Sequence, residues 1–146
     1  MPSTDENEIR ELIEARAAAL KTADVDTIVS YYAPEVVQFS LAPPLQQSTD
    51  ARNPESLRGW IATFDASPTR EVTRLQIAAA GDVAFATSID CLSATPKGMT
   101  DSFSLWHRVT LGLRKIDGQW LITHEHQSVP FEMDGSFQAS VGLRPE

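Results

Sequence analysis

The sequence predicts an α+β fold, with helices first and a long antiparallel meander after them. Three observations carry this. Three segments before about residue 64 repeat their apolar positions at helical spacing. From Arg70 onward the pattern alternates between apolar and polar. Turn signals then fall at Gly81-Asp82, Pro96-Lys97-Gly98 and Asp117-Gly118, dividing that half into strands. At 146 residues and 42% hydrophobic the chain fits one domain, 1–146, with a core over about 5–131 and an irregular tail over 132–146.

Ser3 to Lys21 reads as the first helix. Ser3, Thr4 or Asp5 can cap it, and acidic residues occupy its first turns, where the helix dipole favours them. Ile9, Leu12, Ile13 and Leu20 form its apolar stripe. Arg16 lies on that stripe and either snorkels at its edge or points into a cavity. The surrounding Leu12, Ile13 and Leu20 favour the cavity. Asp24 caps a second helix with Val25, Ile28, Val29 and Tyr32 inward, ended by Pro34. Val36 to Leu41 is a strand, and Ala42 to Asp50 a loop suited to a pocket rim. Asn53-Pro54 opens a third helix reaching about Phe64. Leu57 and Ile61 are core positions there, and Trp60 and Phe64 are placed to line a cavity wall. The strands are Glu71–Ala79, Val83–Ala94, Thr100–Ile116 and Gln119–Val129.

Composition narrows function. A net charge of −8 argues against a nucleic-acid or anionic-membrane partner. The lone Cys91 excludes an intrachain disulfide and any cysteine-cluster metal site, and its strand-like surroundings suit a small buried residue. The acidic, helical N-terminus lacks a signal-peptide core and no apolar run is long enough for a bilayer, which points to a soluble cytoplasmic protein.

The last strand holds the polar run Thr123-His124-Glu125-His126-Gln127-Ser128, so the facing of its side chains decides what the protein presents where. The Asp117-Gly118 hairpin allows two registers. A two-residue loop pairs Ile116 with Gln119, and a three-residue loop pairs Lys115 with Gln119. A one-residue slip exchanges the faces. The three-residue register collects the aliphatic residues and is preferred. It sends His107, Thr123, Glu125 and Gln127 toward the helices. It turns Trp106, Arg108, Trp120, His124, His126 and Ser128 outward, a tryptophan- and arginine-bearing face suited to a homodimer contact.

The order of a helix, a helix ending Tyr31-Tyr32-Ala33-Pro34, a strand, an Asn-Pro helix and strands closing on D-G-x-W-x-I-x-H-x-H-x-S resembles the nuclear-transport-factor-2-like superfamily over residues 5–131. Within it the chain is most similar to the SnoaL-like or ketosteroid-isomerase-related group. The resemblance implies a cystatin-like cone, three helices packed on a curved, mainly antiparallel sheet. It does not imply one activity, because the superfamily holds isomerases, dehydratases, cyclases, hydrolases and non-catalytic modules. The H-E-H-Q-S strand also resembles the association domain of calcium/calmodulin-dependent kinases. By that resemblance, the ketosteroid isomerases' oxyanion tyrosine falls at Arg16, their general-base aspartate at Ser40 and their protonated aspartate near Leu111. None is retained, so steroid isomerisation by that route is not expected.

Arg16 and Glu125 are the leading candidates for a site. The bland account is a structural ion pair closing the cone, and it is preferred, since a buried charge needs a partner. The functional account makes Glu125 an acid or base with His107, while Arg16 holds a carboxylate or enolate. Asp90 is an alternative partner. Tyr32, Phe39, Trp60, Phe64 and Gln127 are the ligand-binding candidates. His124 and His126 share a face, but His107 points the other way and a metal site needs three or four ligands, so no metal is expected. Glu125, His126 and Ser128 do not form a triad, because Glu125 points opposite. No cofactor is implied. The reading is a pocket for a small apolar molecule, with proton transfer on a carbonyl compound as the chemistry to expect of an enzyme. The alternative is a non-catalytic ligand-binding or association module.

Overall fold

A computed structural model describes residues 3–146. Its elements in chain order are α1 (Thr4–Lys21), α2 (Val25–Ser30), β1 (Tyr32–Phe39), α3 (Pro54–Ile61), β2 (Thr69–Ala80), β3 (Val83–Ala94), β4 (Phe103–Ile116) and β5 (Gln119–Ser128). The strands form one sheet in the order β1-β5-β4-β3-β2, antiparallel except where β1 runs parallel to β5. The α+β class and the helices-then-meander order are as the sequence predicts.

Ser3 caps α1, its hydroxyl accepting from Glu6 N at 3.1 Å. Ile9, Leu12, Ile13 and Leu20 are buried as the helical spacing requires. They join Leu111, Leu113, Trp120 and Ile122 in one core between α1 and the inner face of the sheet. Asp24 caps α2 through Thr27 N at 3.3 Å. This helix stops at Ser30, short of the Pro34 boundary, and Tyr32 already belongs to β1. A six-residue helix is marginal on its own. The free edge of β5 captures the chain instead, with Ile122 N donating to Tyr31 O at 2.8 Å. Helix α3 ends at Ile61 rather than Phe64, and Phe64 instead bridges to Pro96. Among the described residues no helix is long and apolar enough to cross a membrane. The tail is not wholly irregular, since Phe131 bridges to Ala139.

The β4–β5 hairpin departs from the preferred register. Ile116 pairs with Gln119 across a two-residue turn, with Asp117 at φ 51° and Gly118 at φ 82°. Positive φ at both positions is the turn whose twist matches the flanking strands, and Asp-Gly suits it. Near the turn, Trp120 therefore faces the same way as Lys115, and Ile122 the same way as Leu113. Trp120 lies buried in the core, its indole N–H donating to Asp5 at 3.0 Å, and is not on the outer face proposed for a dimer. The register then shifts between Gly112 and Leu113, so that Gly112 pairs with His124 and Leu111 with Glu125. Thr123 is the extra residue, a bulge that restores the phase expected for the remainder of the strand. Beyond it Glu125 and Gln127 turn inward, and His124, His126 and Ser128 turn outward, as expected.

Candidate functional site

Between the helices and the inner face of the sheet lies a cavity of about 480 Å3. Its floor is a hydrogen-bonded cluster built from three elements. Arg16 on α1 forms a close ion pair with Glu125 Oε2 on β5, with side chains only 11% and 5% exposed. Tyr32 Oη donates to Glu125 Oε1 at 2.9 Å and accepts from Arg16 at 2.9 Å. Gln38 Nε2 on β1 donates to Oε1 at 3.0 Å, and Gln127 Nε2 to Oε2 at 3.1 Å. Four donors thus converge on one carboxylate.

Each element has a local reason to deliver its group. Arg16 is one turn from Leu12, Ile13 and Leu20, so the stripe that packs α1 also aims the guanidinium inward. Gln38 pairs with Glu125 across the parallel β1–β5 contact, and the bulge at Thr123 gives Glu125 its inward facing.

Charge follows from this geometry. Burial alone would push the Glu125 carboxyl up. The Arg16 and Arg70 guanidiniums, with the hydrogen bonds from Arg16 and Tyr32, outweigh it and hold the carboxyl at about 2. Burial would lower Arg16, but the Glu125 charge raises it above its ordinary value. Burial pushes the Tyr32 phenol up to about 12, against the pull of Arg16. Burial and then the Arg16 charge lower Arg70.

Arg16, Tyr32, Trp60, Phe64, Glu125 and Gln127 line the cavity as expected. His107 does not. It is buried on the same inner face, its Nδ1 lies 3.4 Å from Leu105 O, and burial followed by the Arg70 charge lowers its pKa. Asp90, opposite His107, accepts from Ser88 Oγ at 2.7 Å and makes no ion pair with Arg16. Phe39 is also corrected. It pairs with His126 and packs edge-on against His124 and His126 at 5.1 and 5.3 Å, on the outer face. No group of three His, Cys, Asp or Glu residues able to hold a metal occurs among the described residues.

Sequence reasoning missed Arg70, Gln38 and the wall formed by Leu92, Phe103 and Leu105. Arg70 escaped because β2 begins at Thr69, before the expected Glu71. Its alternation with Val72 was the available signal. Gln38 adjoins Phe39, the expected cavity residue, and neighbouring strand residues face opposite ways, which put Gln38 outside. The rim loop read from the sequence, Ala42 to Asp50, contributes Ala42, Pro43, Gln47, Thr49 and Asp50 to the lining.

The chain is similar in structure to an NTF2-like protein of unknown function from Pseudomonas putida KT2440, at 29% identity and TM-score 0.84 over 99% of both chains. It is similar to a provisionally described calcium/calmodulin-dependent protein kinase II association domain from Xanthomonas campestris, at 21% identity and TM-score 0.70, covering 86% of this chain and 88% of that one. It is also similar to a protein from Novosphingobium aromaticivorans DSM 12444 provisionally described as a scytalone dehydratase, at 16% identity and TM-score 0.75, covering 97% and 95%. A search of curated proteins gives no match. The likenesses show the fold, which is described as cystatin-like in related structures. The SnoaL-like domain profile matches residues 9–132, most of the chain, and the protein belongs to the SnoaL-like family.

Proposed function

We propose that the cone binds a small, mainly apolar molecule whose polar end meets the polar groups of the cavity lining. The observation that carries this is the cavity itself. Its volume lies in the range of about 300–1,000 Å3 usual for small-molecule sites, and apolar walls narrow onto a few convergent polar groups. A general base works best with a pKa near the working pH. Glu125 is held far below that, and four donors occupy its lone pairs. His107 stands outside the lining. The geometry therefore favours Glu125 and Arg16 as groups that position the floor rather than as a proton-transfer pair. The neutral fluorescent probe N-phenyl-1-naphthylamine is expected to bind the wild type. Ser56→Trp, at an exposed position on α3 that lines the cavity, is expected to weaken that binding clearly. No binding to wild type, or equal binding to both, refutes the reading.

A second reading, homodimerisation through the outer sheet face, is favoured by that face's composition. Among the described residues no helix covers it, and Phe85 and Val83 are about half exposed there. Trp106, Arg108, His124, His126 and Ser128 lie on the same side, with Arg108 Nε donating to Ser128 Oγ at 3.2 Å. By their pairing, Glu71 of β2 and Arg108 and Arg114 of β4 also share this side. Sedimentation at micromolar concentration is expected to show a dimer in wild type and a monomer in Arg108→Glu. A wild-type monomer refutes it.

A further inference from the structure

We infer that the pocket is selective for carboxylates, with Arg70 as the anchor for the ligand's anionic head. This rests on the pocket reading above and names its ligand class. Arg70 stands on β2 opposite Leu92 of β3, and its side chain lines the cavity. Its Nε is sealed from solvent and has no hydrogen-bond partner. Among the described residues no carboxylate lies within ion-pair distance of it. The other inward-facing cation, Arg16, is already committed to Glu125 and Tyr32. Glu125 in turn is saturated by its four donors. Asp90 is engaged by Ser88, and Glu125 and Asp90 act on Arg70 only through longer-range attraction.

A guanidinium carries five donors and no acceptor, and it is costly to hold without partners beside hydrocarbon. Leu92, Phe103, Leu105, Trp60 and Phe64 supply that hydrocarbon in the same cavity. A neutral apolar ligand would cover Arg70 further and leave its donors unpaired. A small, wholly polar anion would leave the apolar walls unused. An amphipathic carboxylate satisfies both. Its planar head matches the guanidinium fork with two parallel hydrogen bonds, and its apolar body lies against the aromatic wall.

The test is calorimetric titration with a matched pair, naphthalene-2-carboxylate and naphthalene-2-methanol, at neutral pH. Wild type is expected to bind the carboxylate about ten-fold more tightly or better, the scale of a charge-assisted pair. Arg70→Met is expected to bring the two within about two-fold, through loss of carboxylate affinity. Should Arg70→Met fail to fold, Arg70→Gln carries the same comparison with a polar, uncharged side chain. Alcohol binding at least as tight as carboxylate binding in wild type, or an undiminished preference in the variant, overturns the inference and leaves the pocket reading standing. Failure of both compounds to bind wild type overturns the two together.

Discussion

Breaking the Arg16–Glu125 pair tests whether the floor of the cone is a coupled unit. Arg16→Met leaves Glu125 with neutral donors only, and Glu125→Gln leaves two guanidiniums without a carboxylate among the floor's side chains. Stranding one partner of a buried pair costs about 3–5 kcal/mol. The depression of the Glu125 carboxyl to about 2, against its burial, points the same way. Each single variant is therefore expected to lose about 3 kcal/mol or more in urea unfolding at neutral pH, with an unchanged denaturant slope. The double variant removes both charges of the pair while keeping Arg70. It is expected to cost less than the sum of the singles, by about 1–3 kcal/mol. Additivity within about 0.5 kcal/mol refutes the reasoning, because residues that share a hydrogen-bond network do not add.

Acid stability gives a second check. A carboxyl depressed in the folded state contributes stability above its unfolded value, here near 4.5, and loses it as the pH falls toward about 2. Glu125→Gln is expected to flatten that part of the stability profile, measured by urea midpoints across the window. Deleting Thr123 removes the bulge and sends either Trp120 and Ile122 or Glu125 to the wrong face. The deletion variant is expected to lose its cooperative transition in thermal unfolding, and a wild-type transition would contradict the bulge's role. Purified protein is expected to show no isomerisation of a ketosteroid by ultraviolet absorbance. Arg16, Ser40 and Leu111 stand where the resemblance puts that reaction's groups, and Leu111 is buried in the core.

Much of this was legible because periodicity and capping are local. The Asp24 and Asn53 caps, the α1 stripe and the span Val83–Ala94 of β3 need no knowledge of distant residues, while the α1 cap was narrowed only to Ser3, Thr4 or Asp5. The Arg16–Glu125 pair was legible for a related reason, since a charge on an apolar stripe demands a partner. The hairpin was harder. Aliphatic parity pointed to a three-residue turn, whereas the chain takes the two-residue turn and corrects the phase later with a bulge. Two compensating shifts leave Glu125 where it was expected and misplace only the residues between them, above all Trp120. Phe39 was misread because β1 packs apolar groups against histidines on the outer face. Arg70's state depends on what β1 and β5 bring to the cavity, and no short window of sequence contains that.

The floor of the cone also has a history during synthesis. Glu125 meets Arg16, Tyr32 and Gln38 across separations of 109, 93 and 87 residues. As the chain leaves the ribosome, the first helix and the tyrosine emerge long before the carboxylate that holds them. Throughout that interval β1 lacks its sheet partner, because it pairs only with the last strand. Until the final strand is released, a nascent chain thus lacks the sheet partner of β1 and the carboxylate partner of Arg16.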